Sequence, residues 1–138
     1  MCIRDRFLAA GLDLIFLIAP TTTETRTRSI VSAARGFIYY VSLKGVTGAR
    51  HLEVEAVREE VRRVQSHTQL PVMVGFGVNN AEDAGRIAAY ADGVVVGSAL
   101  VRTMEDLLGS EREIPKALEA QTKKIRAAMD ETDQNARE

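Results

Sequence analysis

Three glycine-bearing stretches, Gly45-Val46-Thr47-Gly48, Gly75-Phe76-Gly77 and Gly97-Ser98, each follow a short apolar run. Glycine lets backbone N–H groups approach an anion with no Cβ in the way. Ser98 opens a segment with helical spacing, whose first amides and positive dipole end lack partners. Donors of that kind seat a phosphate. A single such stretch reads as a turn, but three in consecutive strand–helix units, all on one rim, read as a ligand site.

The other reactive side chains point to no second chemistry. His51 and His67 flank a charged segment and have no partner at ligand spacing, so they read as solvated histidines. Cys2 is the only cysteine, which excludes an internal disulfide or a cysteine metal cluster. The charges from Glu53 to Arg63 read as a solvated helix face. A formal charge of −1 gives no general pull toward nucleic-acid backbones. The absence of Trp and an aromatic content of 5% argue against stacking platforms for single strands. The longest apolar run, Leu14–Ala19, is strand-length, far short of the roughly 20 residues of a membrane span. Residues Met1–Arg6 are too short and too charged for a signal peptide. The expected location is the cytoplasm.

Positioning these groups requires elements, and the chain punctuates them clearly. At 138 residues and 46% hydrophobic it can form one globular domain. Four apolar runs, Asp13–Ala19, Phe37–Ser42, Pro71–Gly75 and Gly93–Gly97, do not alternate with polar residues. Each therefore reads as a strand buried on both faces of a parallel sheet. Between them, Thr21–Thr23 offer caps for a helix that Glu24 opens and Gly36 stops. Val54, Val57, Val61 and Val64 make one apolar stripe on a charged helix. Asn80 caps a helix with Glu82 and Asp83 in its first turn and Ala84, Ile87, Ala88 and Ala91 on its buried face. Ser98 caps a short helix carrying Val101, Met104 and Leu108 as far as Gly109, and a last helix starts near Pro115 and buries Leu118, Ile125 and Met129. The polar stretch 130–138 is expected to fray as a tail.

The order β-α-β-α-β-α-β-α-α suits right-handed crossovers and leaves an open doubly wound sheet or part of a closed (β/α)8 barrel. A full barrel needs about 250 residues. Barrel phosphate sites often use the loops after strands 7 and 8 with a short extra helix, and two glycine loops and a short helix stand in that order here. The runs therefore read as strands 5 to 8, with a leader at 1–6 and the half-barrel at 7–129. Phe37, Tyr39 and Tyr40 read as core or rim packing; alternation turns Tyr39 toward the barrel interior, where its ring either packs in this way or touches a ligand.

The segments GLDLIFLIAPTTT at Gly11–Thr23, GFIYYVSLKGVTGAR at Gly36–Arg50, LPVMVGFGV at Leu70–Val78 and ADGVVVGSALV at Ala91–Val101 resemble the alpha subunit of tryptophan synthase. The resemblance runs from about Phe7 to about Ala128 and covers the carboxyl-terminal half of that family's barrel. It implies retro-aldol cleavage of indole-3-glycerol phosphate to indole and glyceraldehyde 3-phosphate. It also implies a beta subunit as partner in an alpha2-beta2 type complex, and that subunit, not this chain, carries pyridoxal phosphate. By resemblance, Thr47 and Gly48 end the mobile loop after strand 6. Gly77 contacts the phosphate, Gly75 and Phe76 line the indole end, and Gly97 and Ser98 complete the phosphate ligands. Tyr39 lies near the catalytic carboxylate. Leu43 and Lys44 depart from the family, some members of which carry Arg in that loop. The family's catalytic Glu and Asp belong to the half that this chain does not match. Asp13 and Asp92 stand at the amino ends of strands, and Glu24 suits a helix dipole, so none replaces them. The 138 residues alone are expected to be inactive; a self-associating, non-catalytic phosphate-binding half-barrel is the alternative.

Overall fold

A computed structural model describes residues 3–42, 50–75 and 77–135, the side chains of 50–54 and 133–135 excepted. The elements are α1 (Ile3–Ala9), β1 (Phe16–Ile18), α2 (Glu24–Ala33), β2 (Ile38–Val41), α3 (Arg50–Gln65), β3 (Val72–Gly75), α4 (Ala81–Ala88), β4 (Gly93–Val95), α5 (Ser98–Asp106) and α6 (Ile114–Asn135), with a 3-10 turn at Glu111–Glu113 before α6. The strands form one parallel sheet in the order β1-β2-β3-β4. A doubly wound sheet reverses its strand order part-way and covers both faces. Here the order never reverses, so right-handed crossovers place every connecting helix on the same face. That is the wall of a (β/α)8 barrel, and four strands make a partial one.

The register shows which side chains share each face. Ile38 pairs with Val72, and Ile18, Tyr40, Val74 and Val94 stand in one row. This face is the core. Ile18, Ile38, Tyr40, Val72 and Val74 are buried with Val61 and Val64 of α3, and Ile30, Val31, Val57 and Ile87 pack against them. A second cluster joins Val78, Ala84 and Ile125, with Val94 and Met129 at its margin.

The opposite face carries Leu17, Tyr39 and Met73 in one row and Val41, Gly75 and Val95 in the next. It is not covered as the apolar runs suggested. Leu17 is 56% exposed, and Tyr39, Val41, Met73 and Val95 are half-buried. The runs lack alternation because a barrel interior is also apolar, but the strands that fill it from across the barrel are not among the described residues.

Several local expectations need correcting. α2 takes Thr23 as its cap, whose hydroxyl accepts from the Arg26 N–H, but its last residue is Ala33 and the extended Ala34, not Gly36, is its C-cap. α5 is capped by Gly97, not Ser98, which is already the first helical residue and makes no capping hydrogen bond. α5 ends at Asp106, short of Gly109, and Val101, Met104 and, past its end, Leu108 are exposed, Leu108 by 76%. α6 continues through the stretch expected to fray, as far as Asn135, with Arg126 paired to Asp130. His67 is not solvated: its ring is 19% exposed, with Nε2 2.6 Å from Oε1 of Glu24. Arg63 of the charged face is likewise tied down, to Glu24 and Glu60.

Candidate functional site

β3 and β4 run in register, with Gly75 beside Val95, so the loops that follow them leave the sheet at the same rim. Ser42, just past β2, donates its N–H to the Gly75 carbonyl at 3.3 Å, which places the end of β2 at that same rim. Gly77, Gly97 and Ser98 are all exposed there. Gly77 has φ 81°, a conformation open to glycine and strained for a β-branched residue.

The helix starts differ in one respect. α4 opens on Asn80, whose side chain accepts from the Asp83 N–H at 2.8 Å, and α2 opens on the Thr23 hydroxyl. α5 opens on Gly97, which has no side chain, and the space where a Cβ would stand is open. The Leu100 and Val101 N–H groups donate to the Gly97 carbonyl, and the Ser98 and Ala99 amides before them stand at the positive end of the dipole. These donors are available to an anion.

Behind them, Gly75 is buried, and a Cβ built on it would collide with the Tyr39 ring. Tyr39 thus stands on the interior face, as its alternation implies, with its ring over Gly75. Thr47, Gly48 and Phe76 lie outside the described residues, as do Leu43 and Lys44.

Of the three acids near the sheet, Asp92 and Glu24 are engaged in structural contacts. Asp92 accepts from the Val72 N–H at 2.8 Å and from Gln65 Nε2 at 3.4 Å, joining the amino ends of β3 and β4. Glu24 binds Arg28 at 3.2 Å, Arg63 at 3.2 Å and His67 at 2.6 Å. Desolvation pushes its carboxyl up, but hydrogen bonds from Arg28 and Arg63, with the charges of His67 and Arg28, outweigh it and hold the group below 4.5. Asp13 is an exposed residue ahead of β1, beside Gly36. No group of three His, Cys, Asp or Glu is placed to hold a metal ion among the described residues.

Two residues that sequence reasoning missed complete the rim. Asn79 Nδ2 donates to the Gly77 carbonyl at 2.8 Å, and Arg102 Nη2 on α5 donates to Asn79 Oδ1 at 3.0 Å. The available signal was slight: an Asn-Asn pair before α4, and an Arg one turn after Ser98.

A model of the tryptophan synthase alpha chain matches residues 2–130. The chain belongs to the tryptophan synthase alpha chain family. Among its relatives, the tryptophan synthase alpha chain of Geotalea uraniireducens is 52% identical over 101 residues, 73% of this chain and 38% of that protein. That of Nitrosococcus oceani is 46% identical over 123 residues, 89% of this chain and 45% of that protein. The crystal structure of the alpha chain from Legionella pneumophila superposes with a TM-score of 0.78 at 30% identity, over 93% of this chain and 46% of that one. A tryptophan synthase from M. tuberculosis gives 0.71 at 38% identity, over 91% and 45%. The chain thus spans less than half the length of the curated relatives it matches, and its sheet is a partial family barrel.

Proposed function

We propose that this chain is the phosphate-holding half of a tryptophan synthase alpha-type lyase. The whole barrel would cleave indole-3-glycerol phosphate to indole and glyceraldehyde 3-phosphate. The observation that carries the reading is the uncapped α5 start at Gly97-Ser98, beside the positive-φ Gly77 on the same rim of a family barrel. In it, the Gly77, Gly97 and Ser98 amides and the Ser98 hydroxyl hold the substrate phosphate, Thr47 and Gly48 belong to the closing loop, and Gly75, Phe76 and Tyr39 line the site toward the indole.

Cleavage also needs a proton delivered to the indole ring and one removed from the glycerol hydroxyl, hence two positioned carboxyls. Asp92 and Glu24 are engaged in structural contacts, and Asp13 precedes β1. Phosphate donors bind ground and transition states nearly equally, so they fix the substrate without lowering the barrier. The 138 residues by themselves therefore bind and do not catalyse. In the complete enzyme the partner is a beta subunit, which brings the pyridoxal phosphate, in the cytoplasm.

The test is titration with inorganic phosphate, followed by the backbone amide signals of Gly77, Gly97 and Ser98. Saturable shifts at these three, lost in Gly77→Val, support the reading. Shifts elsewhere, or none, refute it. The half-exposed interior row around Leu17 favours one second reading, a half-barrel that pairs with itself.

A further inference from the structure

We propose that Arg102 is a positioning residue that latches α5 to the loop after β3, so that the two anion-binding segments meet one phosphate in fixed register. The inference rests on the phosphate reading above and adds a residue to it.

α5 has little apolar anchorage. Ala99 is its one buried residue, while Val101 and Met104 are exposed. The first turn of such a helix is aimed by polar ties. One holds its outer side to α6: Thr103 Oγ1 meets Gln121 Oε1 at 2.8 Å, and Gln121 Nε2 reaches the Ala99 carbonyl at 3.5 Å. The other tie faces the site. It runs from Arg102 Nη2 through Asn79 Oδ1, then from Asn79 Nδ2 to the Gly77 carbonyl. Asn79 is itself oriented, since its N–H donates to Asp83 Oδ2 at 3.3 Å and the Asp83 N–H is held by Asn80. The Asn79 amide accepts from Arg102 through its oxygen and donates to the Gly77 carbonyl through its nitrogen at the same time. These bonds therefore hold the Gly77 carbonyl, and with it the residue whose N–H would meet the phosphate, relative to the α5 start.

Arg102 has a second way to favour an anion, the attraction of its own charge. The two roles separate in a double-mutant cycle of Arg102→Ala and Asn79→Ala, with Arg102→Lys as the charge-preserving variant. Inorganic phosphate is the probe, read by the Gly77 and Ser98 amide signals, with thermal unfolding in parallel. The latch predicts that Arg102→Ala and Asn79→Ala each weaken phosphate binding by about threefold to tenfold. The double variant should be no weaker than either single one, Arg102→Lys should recover part of the loss, and the melting temperature should stay within about 2 °C of the parent. Undiminished binding in Asn79→Ala, or additive losses in the double variant, would overturn the latch while leaving the phosphate site intact. A parent chain whose Gly77 and Ser98 signals ignore phosphate would overturn both.

Discussion

The ring of Tyr39 on β2 occupies the space that a side chain on Gly75 of β3 would need. In a parallel pair the two positions lie on the same face, with Tyr39 opposite Met73 and Gly75 one step further toward the rim. The tyrosine leans along the strand, and the glycine lets it lie flat.

Gly75→Ala should therefore destabilise the chain by about 1–3 kcal/mol, because the new methyl meets the hydroxyl end of the Tyr39 ring, which must swing aside as a rigid body. In a Tyr39→Ala background the same change should cost much less. Urea unfolding of the four variants measures the coupling. Equal costs in both backgrounds would show that the ring does not stand over Gly75.

Gly77→Val tests the rim. A β-branched residue at φ 81° is strained by about 1–2 kcal/mol, and its branched Cβ stands where the anion approaches. Phosphate affinity should fall beyond detection, with a loss of stability of that size. Ser98→Pro is the companion variant: proline suits a first helical position but removes the amide and the hydroxyl. It should lose phosphate binding with little change in melting.

The ion cluster joining α2 to α3 predicts a pH dependence. Glu24 is held below its ordinary value of 4.5. A depressed carboxyl contributes stability above its unfolded pKa, and that contribution is lost as the pH falls through the folded one. Glu24→Gln should thus be less stable than the parent at pH 7, and the difference should begin to shrink as the pH falls below 4.5. At the alkaline end, burial pushes Tyr40 up to about 12. A raised tyrosine is stabilising below its unfolded value near 10 and loses that contribution as the pH climbs toward 12. Tyr40→Phe should flatten that decline. Chemical denaturation across pH 3–11 checks both.

The parts legible in the sequence were those fixed by local chemistry. Thr23 and Asn80 were readable as caps because their hydroxyl and amide oxygens satisfy the amides three residues on. The strand runs were readable from their apolar content. What failed depended on partners distant in the chain. Tyr39 and Leu17 look as buried as Tyr40 and Ile18, yet whether their face is covered is decided by strands from across a barrel. His67 looked solvated because Glu24, its partner, stands 43 positions away across the helix layer. The Arg102–Asn79 contact spans 23 positions and carries no periodic signature. Among the candidate site residues, glycines at strand ends stand out by their type, whereas Asn79, which joins the loop after β3 to α5, does not.

The exposed interior face predicts association. β1 and β4 are the outer strands of the sheet, and Leu17 is 56% exposed. Unpaired apolar edges associate readily. The chain should dimerise or aggregate at micromolar concentration, and Leu17→Lys should shift it toward monomer in sedimentation velocity. A monodisperse monomer that melts cooperatively would contradict this.

The central claim is that these residues hold the phosphate while the chemistry needs carboxyls they do not supply. An acid and a base each contribute about 10²–10⁴-fold, so both together account for roughly four to eight orders of magnitude. The direct measurement is indole release from saturating indole-3-glycerol phosphate, by the chain alone and with a separately produced amino-terminal half of a family barrel. Indole should appear only when that half is added, and Gly77→Val should suppress it. Indole formed by the chain alone, above the rate of a Gly77→Val, Ser98→Pro control, would mean that a catalytic pair is present among these 138 residues.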